Sequence, residues 1–345
     1  MMSLVFMDSF DHYQTSNIGL KWDTLNGSQL VISAGAGRRS TQAFDMNPTS
    51  LNTLQKTVCS LSCYVVGFAF KFSQNIFLNR GILQFKNAGI VHVELNLSTA
   101  GTLGITRGAA GTVLSSYSTA LNTGTFYYIE MKAEISNSIS AGGVEVKVNG
   151  VSAMTLAAGA DTQNAGSAAI DQILIGITGN PVALITFDDL YIVDTLGNEM
   201  SNFLGDVRID ALLISNTGTL SNWSPSSAGA TMLSMIASTF PDSNVTYMFA
   251  SATSEAQRFG FSAFPSVLGS VYGVQLNLAV AKSDTTSTMQ VAGLFFSGSV
   301  SGVGSTTTIG NTSYTYVTMP TSADASGASW SSNTINNTEF GIKIV

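Results

Sequence analysis

The sequence predicts an all-β protein made of two β-sandwich domains in series. Three observations carry this. Apolar and polar residues alternate with period two in short runs rich in β-branched and aromatic side chains. Clusters of Gly, Asn and Ser bound nearly every run, as turns require. The chain has 345 residues, more than one hydrophobic core usually serves. Helical signals are sparse, the best being 228–239, where Met232, Met235 and Ile236 fall at helical spacing among Gly and β-branched residues that favour helices poorly.

In chain order, strands are expected at 65–72, 82–85, 90–97, 103–106, 126–135, 144–148, 172–177 and 186–193. In 126–135, Ile129, Met131, Ala133 and Ile135 share one face, and Tyr128, Glu130, Lys132 and Glu134 share the other, which predicts a strand with one wet face. Val144, Val146 and Val148 oppose Glu145 and Lys147 in the same way, and Asn149-Gly150 then supplies a type I′ hairpin turn. Loop chemistry at 195–198, 216–218 and 224–227 places a connection at 205–225, between a first domain at 1–204 and a smaller one at 226–345. Beyond it, strands are expected at 258–264, 271–281, 288–296, 313–319 and 339–345.

Charge is scarce. Charged residues make up 10% of the chain, against roughly 25% in ordinary soluble domains, while 45% is hydrophobic, which excludes disorder. The net charge of -7 argues against nucleic acid, and no run of about 20 apolar residues predicts a membrane-spanning helix. The start of the chain has no basic residue before Lys21 and does not read as a signal peptide. From Ser201 onward 26 Ser and 18 Thr occupy 145 positions, while only 11 charged residues lie beyond 204, so the second domain is the more charge-poor and is expected to make the larger share of subunit contacts.

Few residues suggest chemistry. Asp188-Asp189 is the most tempting pair, but adjacent strand residues point to opposite faces, so the two are not expected to flank one glycosidic bond. They read as turn and strand-edge residues, with calcium ligation the lesser alternative. His12 and His92 are the only histidines, and His92 reads as a solvated strand residue sharing a polar face with Glu94. Cys59 and Cys63, placed on one strand, are beyond disulfide reach, and no zinc-binding spacing exists. No cofactor is implied. Arg38 and Arg39, in the Gly-rich stretch 35–40, belong to a hairpin or loop and are candidates for contact with an acidic neighbouring subunit. Trp22, Trp223 and Trp330 are core or interface anchors, or rings that stack on a sugar. Phe340 and Ile342 form an alternating face with Ile344 that either seals an oligomer or completes the second sandwich.

Several segments follow in the order seen in concanavalin A-like jelly rolls of the laminin-G or pentraxin kind: Asp8-Ser9-Phe10-Asp11, Trp22, Tyr127-Tyr128-Ile129-Glu130, 144–150 and 187–194. Further on, 202–209, Trp223, 271–275, Trp330 and 339–343 resemble virion structural proteins of tailed bacteriophages. The resemblance implies a first domain of jelly-roll type in a non-enzymatic virion protein, made in the host cytoplasm. It would serve as a capsid decoration or head fibre, or alternatively as a tail fibre or carbohydrate-binding host-recognition protein. The implied partners are capsid or tail subunits, further copies of the chain in a homo-oligomer with a trimer favoured, and a host glycan.

Overall fold

The computed structural model describes residues 4–46, 51–139, 141–156, 159–179, 183–197, 200–236, 240–265, 269–310 and 312–345. They divide into two compact units: 4–11 with 22–209, and 12–21 with 210–345. The division falls inside the segment read as the connection. That segment also forms a strand of its own, Ile214–Ser221.

The first unit is a sandwich of two antiparallel sheets. One carries, in spatial order, Val151–Leu156, Gly143–Val148, Tyr127–Glu134, Cys63–Phe72, Ile185–Asp194, Ala43–Met46 and Leu30–Ser33, with Leu4–Asp8 also paired to Ile185–Asp194. The other runs Thr112–Ser116, Leu103–Arg107, Ile90–Leu97, Arg80–Asn87, Ile170–Ile177, Asn52–Leu61 and Thr24–Asn26. Strict alternation builds the core between them. Val66, Phe68, Phe70, Ile129 and Met131 from the first sheet, and Leu83, Phe85, Val93, Leu95, Ile105, Ile173 and Ile175 from the second, are fully buried. Phe187 packs its ring against Phe68 and Phe70 at 5.4 and 5.5 Å. Asn149 and Gly150 both have positive φ and join Val148 directly to Val151, as a type I′ turn demands.

Two expectations change here. The second face of Tyr127–Glu134 is not wet throughout: Tyr128 and Glu130 are buried. The segment 200–209 lies over that face, with Met200, Phe203, Leu204 and Val207 packed on Val65, Tyr128, Tyr191 and Val193. The cysteines, moreover, are not on one strand. Cys59 lies in Asn52–Leu61 and Cys63 opens Cys63–Phe72, in opposite sheets, and both are free thiols.

The second unit is an asymmetric sandwich. A five-stranded sheet, ordered Ile214–Ser221, Ala256–Phe261, Thr338–Ile344, Met289–Ser297 and Val300–Ile309, packs on the two-stranded sheet of Val274–Val280 and Thr315–Thr321. Gly293 makes room for this contact, since a side chain there would meet Met319 Sδ at 2.9 Å. The expected helix shortens to Met232–Ile236, with 237–239 outside the described residues.

Candidate functional site

The antiparallel registers of the seven-stranded sheet line up a row of side chains on the face turned away from the core. Thr106 pairs with Glu94, Glu94 with Gln84, Gln84 with Leu174, Leu174 with Gln55, and Gln55 with Thr24. Six strands spaced about 4.8 Å apart give the row a length of roughly 24 Å. Lys86, Gln172 and Thr57 form a second row beside it. Apart from Leu174 the row is polar, because its neighbours in sequence, such as Phe85, Val93, Leu95 and Ile173, take the core face, and Thr106, Glu94, Gln84 and Leu174 are themselves buried.

Hydrogen bonds hold the row in place. Gln84 Nε2 donates to Glu94 Oε2 at 2.6 Å, the Ala110 N–H donates to Glu94 Oε1 at 3.0 Å, and Lys86 Nζ donates to Gln55 Oε1 at 3.0 Å. Gly81 lies under the Glu94 carboxylate, where any side chain would collide with it. Partial burial pulls the Lys86 ammonium below its usual range, and Asp171 opposes the shift. Gln55, Lys86, Gln172 and Asn96 are half-buried, and Thr24 and Thr57 are exposed. The accessible part of the face is therefore a set of amides and hydroxyls with one cation. Such groups match the hydroxyls of a sugar chain, and Lys86 suits a carboxylate carried on one.

His92 and Glu94 share a face as expected, but neither is solvated. His92 is fully buried, its Nδ1 accepts the Asn164 N–H at 3.3 Å, and burial lowers its pKa. Among the described residues no three His, Cys, Asp or Glu side chains are grouped to hold a metal.

The Asp188-Asp189 pair is not at a strand edge. It lies in the interior strand Ile185–Asp194, at a register shift between Asp188 and Tyr191, and Asp189 has a φ of 46°. This irregularity brings both carboxylates to the loop that follows Leu30–Ser33. Asp188 Oδ2 accepts the Arg38 N–H at 2.9 Å, and Asp189 Oδ2 lies 3.5 Å from Arg38 Nη1 and 3.7 Å from Arg39 Nη1. Arg38 also pairs with Asp206 at 2.5 Å and sits over the Tyr128 ring at 5.2 Å. Desolvation raises Asp188 to about 7 and Asp11 to about 6. The acidic neighbours of Arg38 and Arg39 thus belong to their own chain. With its side chain 13% exposed, Arg38 ties the 200–209 segment down.

The remaining candidates are core residues. Trp22 is buried between Phe6 and Phe10, and its Nε1 donates to Asp8 Oδ2 at 2.9 Å. Trp330, Phe340 and Ile342 belong to the core of the second unit, against which Trp223 packs half-buried. None of Trp22, Trp330, Phe340 or Ile342 has the exposure that sugar stacking or a subunit contact needs. The row on the seven-stranded sheet escaped sequence reading because its members are scattered over six strands. Only the alternation Val93-Glu94-Leu95 hinted at it.

No family model matches the sequence, and no curated protein is similar to it. Solved structures are similar over about half the chain. The cellulose-induced protein Cip1 has a TM-score of 0.42 and 16% identity, covering 55% of this chain and 96% of its own. The alginate lyase Aly36B gives 0.37 and 14%, covering 56% and 93%. The carbohydrate-binding module CBM66 from Bacillus subtilis gives 0.36 and 10%, covering 50% and 94%. At these identities the likeness concerns the fold alone, a β-sandwich of jelly-roll type. It also corrects one expectation. A catalytic protein stands among these structures, so the reading of the chain as non-enzymatic is withdrawn.

Proposed function

We propose that this chain is a polysaccharide-recognition protein of a tailed-phage virion, with the glycan lying along the polar face of the seven-stranded sheet. The observation that carries the proposal is the accessible polar patch on that face: Thr24, Gln55, Thr57, Lys86, Asn96 and Gln172. These amides, hydroxyls and one ammonium are set on a sheet rather than on loops, beside the buried members of the row, Thr106, Glu94, Gln84 and Leu174. A site that presents fixed amides and hydroxyls discriminates among polyhydroxylated ligands by geometry, since each misplaced hydroxyl leaves a partner unsatisfied. The virion assignment rests on the resemblance of 202–209, Trp223, 271–275, Trp330 and 339–343 to phage structural proteins.

Two measurements test the two halves of the proposal. On an array of bacterial surface polysaccharides the intact chain shows saturable binding, and Gln55→Ala, Gln172→Ala and Lys86→Met each weaken it about tenfold, the equivalent of about 1.4 kcal/mol. Absence of binding to every polysaccharide overturns the glycan assignment. Mass spectrometry of purified particles finds the chain in stoichiometric amounts, and its absence overturns the virion assignment. Incubation with the bound polysaccharide, followed by sizing of the products, determines whether the same face also cleaves.

A further inference from the structure

The five-stranded sheet of the second unit ends on one side in Val300–Ile309, a ten-residue strand with no charged residue and no proline. Exposed edges in proteins are ordinarily blunted by Lys, Pro, bulges or a covering segment, because their unpaired backbone groups otherwise recruit another strand. The opposite edge of this sheet follows that rule. Ile214–Ser221 pairs with its neighbour through two register shifts, and the Glu339 carboxylate accepts both the Thr219 N–H at 2.9 Å and the Thr219 hydroxyl at 2.7 Å. The sheet's charges, Arg258, Glu339 and Lys343, all lie on interior strands. Val300–Ile309 has only one register shift, near Gly304 and Ser305. Its Val300 and Val303 are 42% and 62% exposed.

We propose that Val300–Ile309 pairs antiparallel with the same strand of a second copy of this chain, joining two five-stranded sheets into one. The sequence suits a two-fold axis through Gly304 and Ser305. Across such an axis Val300 faces Ile309 of the second copy, and Val303 faces Thr306. The faces agree: Val300 pairs with Ser297 and Ile309 with Met289, both on the side of Val291 and Phe295, while Val303 and Thr306 lie on the other side with Leu294 and Ala292. A cavity of about 310 Å³ opens beside Ile309, between Thr307 and Thr315, and Val300 of the second copy lies at its mouth. An uncharged edge meets a copy of itself without like-charge repulsion. A partner selected by charge would need charge on this edge, and there is none. This pairing is independent of the glycan face, which belongs to the first unit.

Light scattering on the eluted full chain reads the outcome directly. The expected mass is twice 36.1 kDa. Val303→Lys/Thr306→Lys elutes as a monomer, as does Val303→Glu/Thr306→Glu, and mixing the two variants restores the dimer. Circular dichroism checks that both remain folded, which the exposure of both positions favours. A monomeric native chain overturns the proposal, as does a dimer or trimer that survives the lysine pair. Failure of the two charge variants to associate with each other overturns it as well.

Discussion

Asp188 and Asp11 titrate where most carboxyls are already ionised, because burial raises them to about 7 and about 6 from an unfolded value of 3.8. The folded chain therefore holds protons that the unfolded chain releases. The stabilisation is complete below about pH 4 and is lost as the pH rises through the folded values, each tenfold difference in proton affinity between the two states being worth at most about 1.4 kcal/mol. Thermal melting of the native chain is expected to fall between about pH 4 and about pH 7. Asp188→Asn, whose amide oxygen still accepts the Arg38 N–H, flattens that fall. An unchanged slope in the variant assigns the pH dependence to other groups. A second prediction concerns Gly67, where a methyl would collide with the Tyr191 ring. Gly67→Ala is expected to cost about 2 kcal/mol in urea unfolding, because an interior strand cannot move aside.

At the scale of elements, the 200–209 segment is fastened by Glu130. Its Oε1 accepts the Tyr191 hydroxyl at 2.6 Å and the N–H groups of Leu204 and Gly205 at 2.9 and 2.8 Å. Replacing this buried acceptor by alanine removes three hydrogen bonds, of whose donors the Leu204 N–H keeps the Tyr191 hydroxyl at 3.2 Å, and Glu130→Ala is expected to cost about 3 kcal/mol. Hydrogen exchange at the amides of Leu204 and Gly205 is the specific readout: both lose protection, while those of 143–148 keep theirs. The same residue shows why sequence reading reached only part of the fold. Period two correctly set Tyr128 and Glu130 apart from Ile129 and Met131. Alternation reports which residues share a face, however, and not what lies on it. A cover supplied from far downstream in the chain leaves no local trace. Local signals with a steric cause, such as Asn149-Gly150 with its two positive φ angles, were legible. Strands such as Asn52–Leu61 and Val300–Ile309, rich in Thr, Ser or Gly, carried too few large apolar residues to stand out from loops.

At the scale of the whole molecule, the charge deficit takes on a pattern. The strands that end the two large sheets of the first unit, Val151–Leu156, Leu30–Ser33, Thr112–Ser116 and Thr24–Asn26, are as free of charge as Val300–Ile309. Association along such edges rests on backbone hydrogen bonds and apolar contact, which salt does not screen. The mass in solution is accordingly expected to be the same in low salt and in high salt, and dissociation by salt would assign assembly to the exposed ion pairs. The fastening of 200–209 has a mechanical consequence as well. The chain leaves Glu130 and the Arg38–Asp206 pair only a few residues before Asp210, where it passes back into the second unit. Tension passed along the chain from Asp210 therefore loads this short strip, while the crossings at 11–12 and 21–22 join the two units independently of it. Glu130 and Arg38 thus anchor the chain at one of the three points, among the described residues, where it passes from one unit to the other.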